Sequence, residues 1–322
     1  MSLSIPVLSI VIPSYRRADF LGRCLASVLA SPEPRFEVVV SDNASPDHTE
    51  AVVEPYKKDG RLRYFRQKEN IGAVRNFFFL ANEARGDYVF YLTDDDYLLT
   101  GAIEKVLDFI FQFQPLGFKC SLLVYQIQSH AAYLYGPYAR SFVAEPDDYE
   151  SQSRIFWNAH IATCTCIKRE VLDLELYEKN LSNFYPSMMF MCMARERLGY
   201  LHEPIAVHTW ENEVFWDDGI RPEESGKLVA YRGDLLQIFE HRVPKGFLVA
   251  CEGQINRYSL NYAPIVRFLS PQEQHARKLS YKMHAFNLRY SALVKRTLVP
   301  IDKWIRTSLA RFLSELALLF GK

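Results

Sequence analysis

Asp94, Asp95 and Asp96 stand in a row directly after an apolar run, in the order Tyr88-Val-Phe-Tyr-Leu-Thr-Asp-Asp-Asp-Tyr97. Three adjacent carboxylates repel one another, and gathering them at the edge of a low-dielectric core is costly. A hard divalent cation offsets that cost, because Mg²⁺ and Mn²⁺ prefer oxygen ligands and share them with the phosphates of a substrate. The competing reading is a solvated acidic turn ahead of a helix. Position in the fold separates the two.

The elements that would position the triplet alternate along the first third of the chain. Val7 to Ile12 is a β-branched run of the kind buried on both faces of a sheet, ended by Pro13-Ser14. Ala18 to Leu29 carries an apolar stripe at helical spacing, stopped by Pro32 and Pro34. Phe36 to Val40 reads as a second strand, Asp47 to Tyr56 as a helix whose Glu50 completes a capping box, and Leu62 to Phe65 as a third strand. Gly72 to Ala84 follows as a helix, Tyr88 to Leu92 as the fourth strand, and Thr100 to Phe113 as a helix. Strand and helix alternating through short loops predicts an α/β fold with a mostly parallel sheet flanked by helices. Ligands of such sheets bind outside the carboxyl ends of the strands. Three polar clusters fall there: Ser14 to Arg17, Ser41 to Ser45, and the acid triplet.

Farther on, Phe118 to Gln128, His160 to Ile167 and Tyr200 to His208 read as strands and Pro186 to Leu198 as a Met-rich helix. Residues 130 to 150 read as an excursion. A domain boundary is expected near 210 to 225. It divides a domain of residues 1–215, with a first half to about 112 and a second from 113, from a helical region over 216–322.

Composition narrows the function classes. Lys plus Arg equals Asp plus Glu at 38 each, so the basic excess of a nucleic-acid-tracking protein is missing. The chain is 49% hydrophobic and 24% charged, ordinary globular usage. Six cysteines show no C-x-x-C pair, which predicts buried reduced thiols rather than zinc or disulfides. With no leader-like N-terminus and no spanning apolar run, the expected compartment is the cytosol. No G-x-G-x-x-G follows an early strand, which argues against a dehydrogenase.

Four segments together resemble the successive motifs of family 2 glycosyltransferases. They are Ser9-Ile-Val-Ile-Pro-Ser-Tyr-Arg-Arg17, Phe36-Glu-Val-Val-Val-Ser-Asp-Asn43, Asn70-Ile-Gly-Ala-Val-Arg-Asn76, and Ala84-Arg-Gly-Asp through the triplet. The match covers about the first 110 residues, in the family's order. The triple-Asp form is similar to the bacterial members that build surface polysaccharides. The resemblance implies the GT-A fold and a nucleotide-sugar donor. It also implies a saccharide or lipid-linked acceptor, a divalent metal (Mn²⁺ or Mg²⁺), and transfer with inversion at the anomeric carbon. Position by position, it implies that Asp42 reads the nucleotide base, with Pro13 and Tyr15 shaping the pocket beside Arg17 and Asn43. Arg75 would face the diphosphate, as suits a planar fork of donors. Asp94 or Asp95 would hold the ribose and Asp95 or Asp96 the metal, with His208 a third ligand.

One family feature is missing. Where most members place an acidic pair supplying the catalytic base, this chain has Ser187 and Met188. Glu178, Asp217 and Asp218 are the candidate bases. Trp157, Asn158 and His160 belong either to the acceptor side or to the core. Residues 289–322 hold seven basic against two acidic side chains, and Trp304, Ile305, Leu309, Phe312, Leu313, Leu316 and Phe320 recur at helical spacing. Such a helix suits peripheral contact with the inner face of an anionic membrane, or packing within the protein or across a homodimer. The rival classes are a sugar nucleotidyltransferase and a non-catalytic carbohydrate-binding scaffold. Against the nucleotidyltransferase, no glycine occupies the loop after strand one. The missing acidic pair is what motivates the scaffold.

Overall fold

The computed structural model describes residues 6–126, 131–159, 162–179, 193–209 and 243–258. The expected alternation is observed, with Leu8–Ser14 (β1), Ala18–Leu29 (α1), Phe36–Asp42 (β2), Thr49–Val53 (α2), Leu62–Arg66 (β3), Ala73–Glu83 (α3), and Tyr88–Tyr91 (β4). Every residue of β2 and β4 is buried, as near-continuous apolar runs require when both faces of a sheet are covered. In α1 the buried positions Ala18, Leu21, Cys24, Leu25 and Val28 follow the 3.6-residue repeat and seat the helix on the sheet. Asp47 accepts from the Thr49 amide, but no capping box closes: Glu50 instead pairs with Arg66 across the loop, at 3.0 Å.

The chain continues through Tyr97–Leu98 (β5), Ala102–Phe113 (α4) and Gly117–Gln126 (β6). The segment expected as an excursion contains two strands, Ala131–Tyr135 (β7), which folds back on β6, and Phe142–Val143 (β8). Tyr149–Asn158 (α5) follows, with Asp148 capping it by accepting from the Ser151 amide. Thr165–Lys168 (β9), Leu174–Lys179 (α6), Leu198–Thr209 (β10) and Lys245–Tyr258 (α7) complete the described elements. β9 starts later than the sequence pattern suggests, because Ala162 to Thr165 closes a turn and Cys164 adopts φ of +62°. Most of the expected Met-rich helix lies outside the described residues, and so does the expected boundary near 210–225.

The sheet runs β3-β2-β1-β4-β9-β6-β10-β5, with β7 and β8 attached to β6 and β10. β3, β2, β1 and β4 are parallel, so their carboxyl ends share one edge. β9 is antiparallel to both β4 and β6, which puts its amino end on that same edge. β10 runs parallel to β6, and near its end Val207 opposes Tyr97 of β5. That register delivers His208 beside Asp96.

The chain divides into two compact units, Met1–Arg257 and Tyr258–Lys322. Within the first, α7 packs on α5: the Phe156 and Phe247 rings meet at 5.9 Å, and the Trp157 indole N–H donates to the Cys251 carbonyl. Trp157 is therefore a core residue, not part of an acceptor surface. Asn158 donates back to the Arg154 carbonyl, and His160 lies outside the described residues. Everything after Tyr258, including the basic amphipathic segment, also lies outside them. Cys24, Cys120, Cys164, Cys166 and Cys251 are buried free thiols, as expected. No helix among the described residues is long and apolar enough to cross a membrane.

Candidate functional site

The acid triplet leaves β4 at the shared edge and turns inward. Leu92 still bonds β1 through the Val11 carbonyl, and the Asp96 amide closes a turn on Thr93. Asp94 is 3% exposed, Asp95 9% and Asp96 not at all. The reading as a solvated turn is therefore excluded: these are buried acids, and each must be compensated.

Three elements supply the compensation. Arg17, from the loop after β1, spans Asp94 at 3.2 Å and Asp95 at 2.9 Å with one guanidinium nitrogen. Arg23 on α1 donates to the Asp95 carbonyl and lies over the Tyr97 ring. His208 sets Nδ1 3.0 Å from both oxygens of Asp96. Thr93 and Thr163 donate their hydroxyls to Asp96 as well. The balance is uneven. Burial, then the neighbouring charge of Asp95, push the Asp94 carboxyl up to about 7 against the pull of Arg17, and its Oδ2 is buried without a hydrogen bond. Burial works against a charged His208, but the Asp96 bond and the charges of Asp96 and Asp95 outweigh it, and its pKa is raised.

The neighbouring strand ends are tightly built. Asp42 is fully buried; one carboxylate oxygen accepts from the Ser45 amide and the other from the Tyr64 hydroxyl, both at 2.8 Å. Asn43 donates to Asn70 and accepts from the Ile71 amide, fastening the β2 end to the loop before α3. Asn76 exchanges two bonds with Ser41. Three non-glycine residues with left-handed φ, Arg16, Ala44 and Cys164, lie in the loops at this edge. Such strain persists only where surrounding contacts over-determine it, and it clusters at functional sites. Pro13 is half-buried, and Tyr15, at 37%, is exposed at the mouth. Arg75 is exposed on the first turn of α3 without a hydrogen-bond or ion-pair partner among the described residues.

The donor set fits a hard or borderline divalent cation: carboxylates plus one imidazole, with an orphaned buried carboxylate oxygen at Asp94. Among the described residues no closed cage of three or more ligands is formed.

The sequence profile described as "Glycosyl transferase family 2" matches residues 9–173, from β1 through β9 and the residues just after it. The chain belongs to glycosyl transferase family 2. Among its relatives, a putative teichuronic acid biosynthesis glycosyltransferase, TuaG of Bacillus subtilis, is 32% identical over 108 residues, covering 33% of this chain and 43% of TuaG. The GalNAc(5)-diNAcBac-PP-undecaprenol beta-1,3-glucosyltransferase of Campylobacter jejuni is 34% identical over 104 residues, 32% of this chain and 34% of that enzyme. The matched stretch thus spans less than half of either relative. Among solved structures, S. aureus TarS 1–349 in complex with UDP-GlcNAc superposes with a TM-score of 0.52 at 14% identity, over 77% of this chain and 84% of TarS 1–349. The Pyrobaculum calidifontis mannosyltransferase PcManGT in complex with GDP-Man and Mn²⁺ gives 0.51 at 16% identity, over 99% and 88%. At these identities the likeness establishes the GT-A fold.

Within this family-2 chain, the structure gathers Arg17, Asp94, Asp95, Asp96 and His208 in one cluster, and holds Asp42 and Asn43 at the adjoining strand end. Glu178 is exposed on α6 and shares no hydrogen bond or ion pair with the triplet; Asp217 and Asp218 lie outside the described residues. Sequence reasoning missed Arg23, Thr93, Thr163 and Lys119. Lys119 on β6 is 1% exposed, and burial depresses its pKa to about 8. A lysine flanked by buried Phe118 and Cys120 inside a strand pattern was the available signal.

Proposed function

We propose that this chain transfers a sugar from a nucleoside-diphosphate sugar to a saccharide or lipid-linked acceptor in the assembly of a bacterial surface polysaccharide, with inversion at the anomeric carbon. The observation carrying this reading is the burial of three acids at the carboxyl edge of the sheet, with Arg17 and His208 converging on them. The relatives named for teichuronic acid and undecaprenol-linked glycan synthesis support the polysaccharide setting. Family membership supports the reaction class.

In this reading Tyr15 and Pro13 wall the base, and the free lone pairs of Asp42 accept from its edge. Asp94, with an unused buried oxygen, takes the ribose hydroxyls. Asp95, Asp96 and His208 hold Mn²⁺ or Mg²⁺, which as a Lewis acid would neutralise charge on the departing diphosphate, an effect worth several kcal/mol. Arg75 closes on the same phosphates, and Arg17, already bridging Asp94 and Asp95, is placed to follow. The acceptor proton needs a carboxylate from the acceptor side. Glu178, Asp217 and Asp218 are the groups to test by single Asp→Asn or Glu→Gln changes.

The experiment is a thermal-shift panel of UDP, GDP, dTDP and CDP with and without Mn²⁺. A ligand at a hundred times its Kd stabilises the folded state by about 2.7 kcal/mol. One nucleotide should therefore raise the melting temperature by several degrees, and only with the cation present. A flat panel sinks the reading. For the basic segment, removing residues 298–322 should abolish flotation with anionic liposomes; flotation unchanged by the truncation rules out the membrane contact.

A further inference from the structure

Lys119 is the only Lys or Arg among the described residues that is buried. Side chains alternate along a strand. In β6, Phe118, Cys120 and Leu122 enter the hydrophobic core, which leaves Lys119 and Ser121 on the opposite face. The Ser121 hydroxyl is within hydrogen-bond distance of the Tyr200 hydroxyl, and Lys119 reaches the other way, donating from Nζ to the backbone carbonyl of Thr163. Burying an ammonium is expensive, and a methionine would fill the same space without that penalty.

What Lys119 grips is the hub of the acid site. The Thr163 hydroxyl donates to Asp96, accepts from the Thr93 amide at 3.1 Å and lies 2.7 Å from the Thr93 hydroxyl. The next residue, Cys164, sits at φ +62° with its amide on the Tyr91 carbonyl. That left-handed turn is unfavourable for a residue with a Cβ and needs external support. Lys119 holds one side of it and β4 the other. The path Lys119 to Thr163 to Asp96 also sets one positive charge behind the least exposed acid.

We propose that Lys119 is a positioning residue of the acid site, fixing Thr163 against Asp96 and offsetting that carboxylate's charge from beneath. The consequence for metal binding rests on the donor-site reading above; the coupling to Asp96 does not. Partners that orient a metal's ligands change affinity by about 10–100-fold when removed.

The test has two arms. In metal-free full-length protein, melting temperatures of Lys119→Met, Asp96→Asn and the double variant form a cycle. Lys119→Met should cost clearly less stability in the Asp96→Asn background than in the wild type. Additive shifts would overturn the proposal, since a lysine that only fills space has no reason to sense the charge at 96. Should Lys119→Met fail to fold, Lys119→Gln, which removes the charge but keeps a donor for the Thr163 carbonyl, replaces it in the same cycle. In the second arm, Mn²⁺ titrated in the presence of the nucleotide selected by the thermal-shift panel should bind Lys119→Met about tenfold or more weakly, with Lys119→Arg recovering part of the loss. Wild-type Mn²⁺ affinity in Lys119→Met would count against the proposal. If the wild-type protein itself binds no Mn²⁺, the donor-site reading falls, and the cycle still decides whether Lys119 is coupled to Asp96.

Discussion

Asp96→Asn should lower the turnover of a nucleotide-sugar donor about 10³-fold or more while leaving the fold intact. The asparagine keeps the shape and one acceptor oxygen for Thr93 and Thr163 but removes the charge that His208 and a divalent cation require. A Lewis-acid contribution of roughly 4 kcal/mol to the departing diphosphate corresponds to about three decades in rate. The same variant should lose the cation-dependent nucleotide shift: the base and ribose contacts assigned to Asp42 and Asp94 are untouched, but the cation that joins the diphosphate to the site is no longer held. Its thermal shift should therefore become indifferent to Mn²⁺. The check is kcat with and without Mn²⁺, beside the melting temperature of the free protein. If Asp96→Asn keeps more than a tenth of wild-type kcat at saturating Mn²⁺, the triplet is not the metal site.

Asp96 is also where the sequence says least about which acid does what. The resemblance leaves Asp95 or Asp96 for the metal, whereas in three dimensions Asp96 is the acid bonded by His208, Thr93 and Thr163. His208 comes from the end of β10 and Thr163 from the turn before β9, both far from the triplet in sequence. Nothing local announces that Val207 opposes Tyr97, yet that pairing places His208. Lys119 is legible only as a lysine inside a strand pattern, since its role depends on which face of β6 it occupies and on a turn 44 residues later. By contrast, β1, α1, β2, β3 and α3 are legible to within two residues, because each carries a clear apolar pattern, whereas α2 stops at Val53, three residues short of the expected Tyr56. β7 and β8 were missed because their Tyr, Pro and Asp content masks short strands whose pairing partners lie elsewhere in the sheet. The capping box failed because Glu50 had a better charge partner in Arg66 than a backbone amide.

The motif residues also divide into chemistry and scaffold in a way only packing reveals. Asn76 looks like a ligand-facing amide of α3, but it is buried and spends its bonds on Ser41. Glu37 on β2 serves the far end of the sheet, where it accepts from Ser9 and Arg85 and pairs with Arg63 at 3.3 Å. Asn76 thus shapes the strand end from which Asp42 projects, whereas Glu37 ties the strands together at the opposite edge.

Gly86 in the Ala84-Arg-Gly-Asp segment is a scaffold position of this kind, and Gly86→Ala should be strongly destabilising. Its amide donates to the Ser9 hydroxyl and its carbonyl accepts from Arg169, so the chain crosses directly against β1 as it enters β4. A Cβ there would stand 2.7 Å from the Ser9 amide nitrogen and 2.9 Å from the Leu8 carbonyl carbon. Both are backbone atoms of a central strand and cannot rotate away. Relief requires β1 and β4 to separate, which disturbs the pairing of Leu8 with Tyr88 and, further along the same ladder, the edge that carries Arg17 and the triplet. Overpacking of this kind costs about 3 kcal/mol, or roughly 6–12 °C in melting temperature for a domain of this size. Gly60 provides the control: it is exposed, and an added Cβ would meet nothing within 4 Å, so Gly60→Ala should move the melting temperature by no more than about a degree. Equal, small shifts for the two alanines would mean that the β1–β4 contact is looser than the register implies, and that the acid site is held by its own ion pairs instead of by the sheet beneath it.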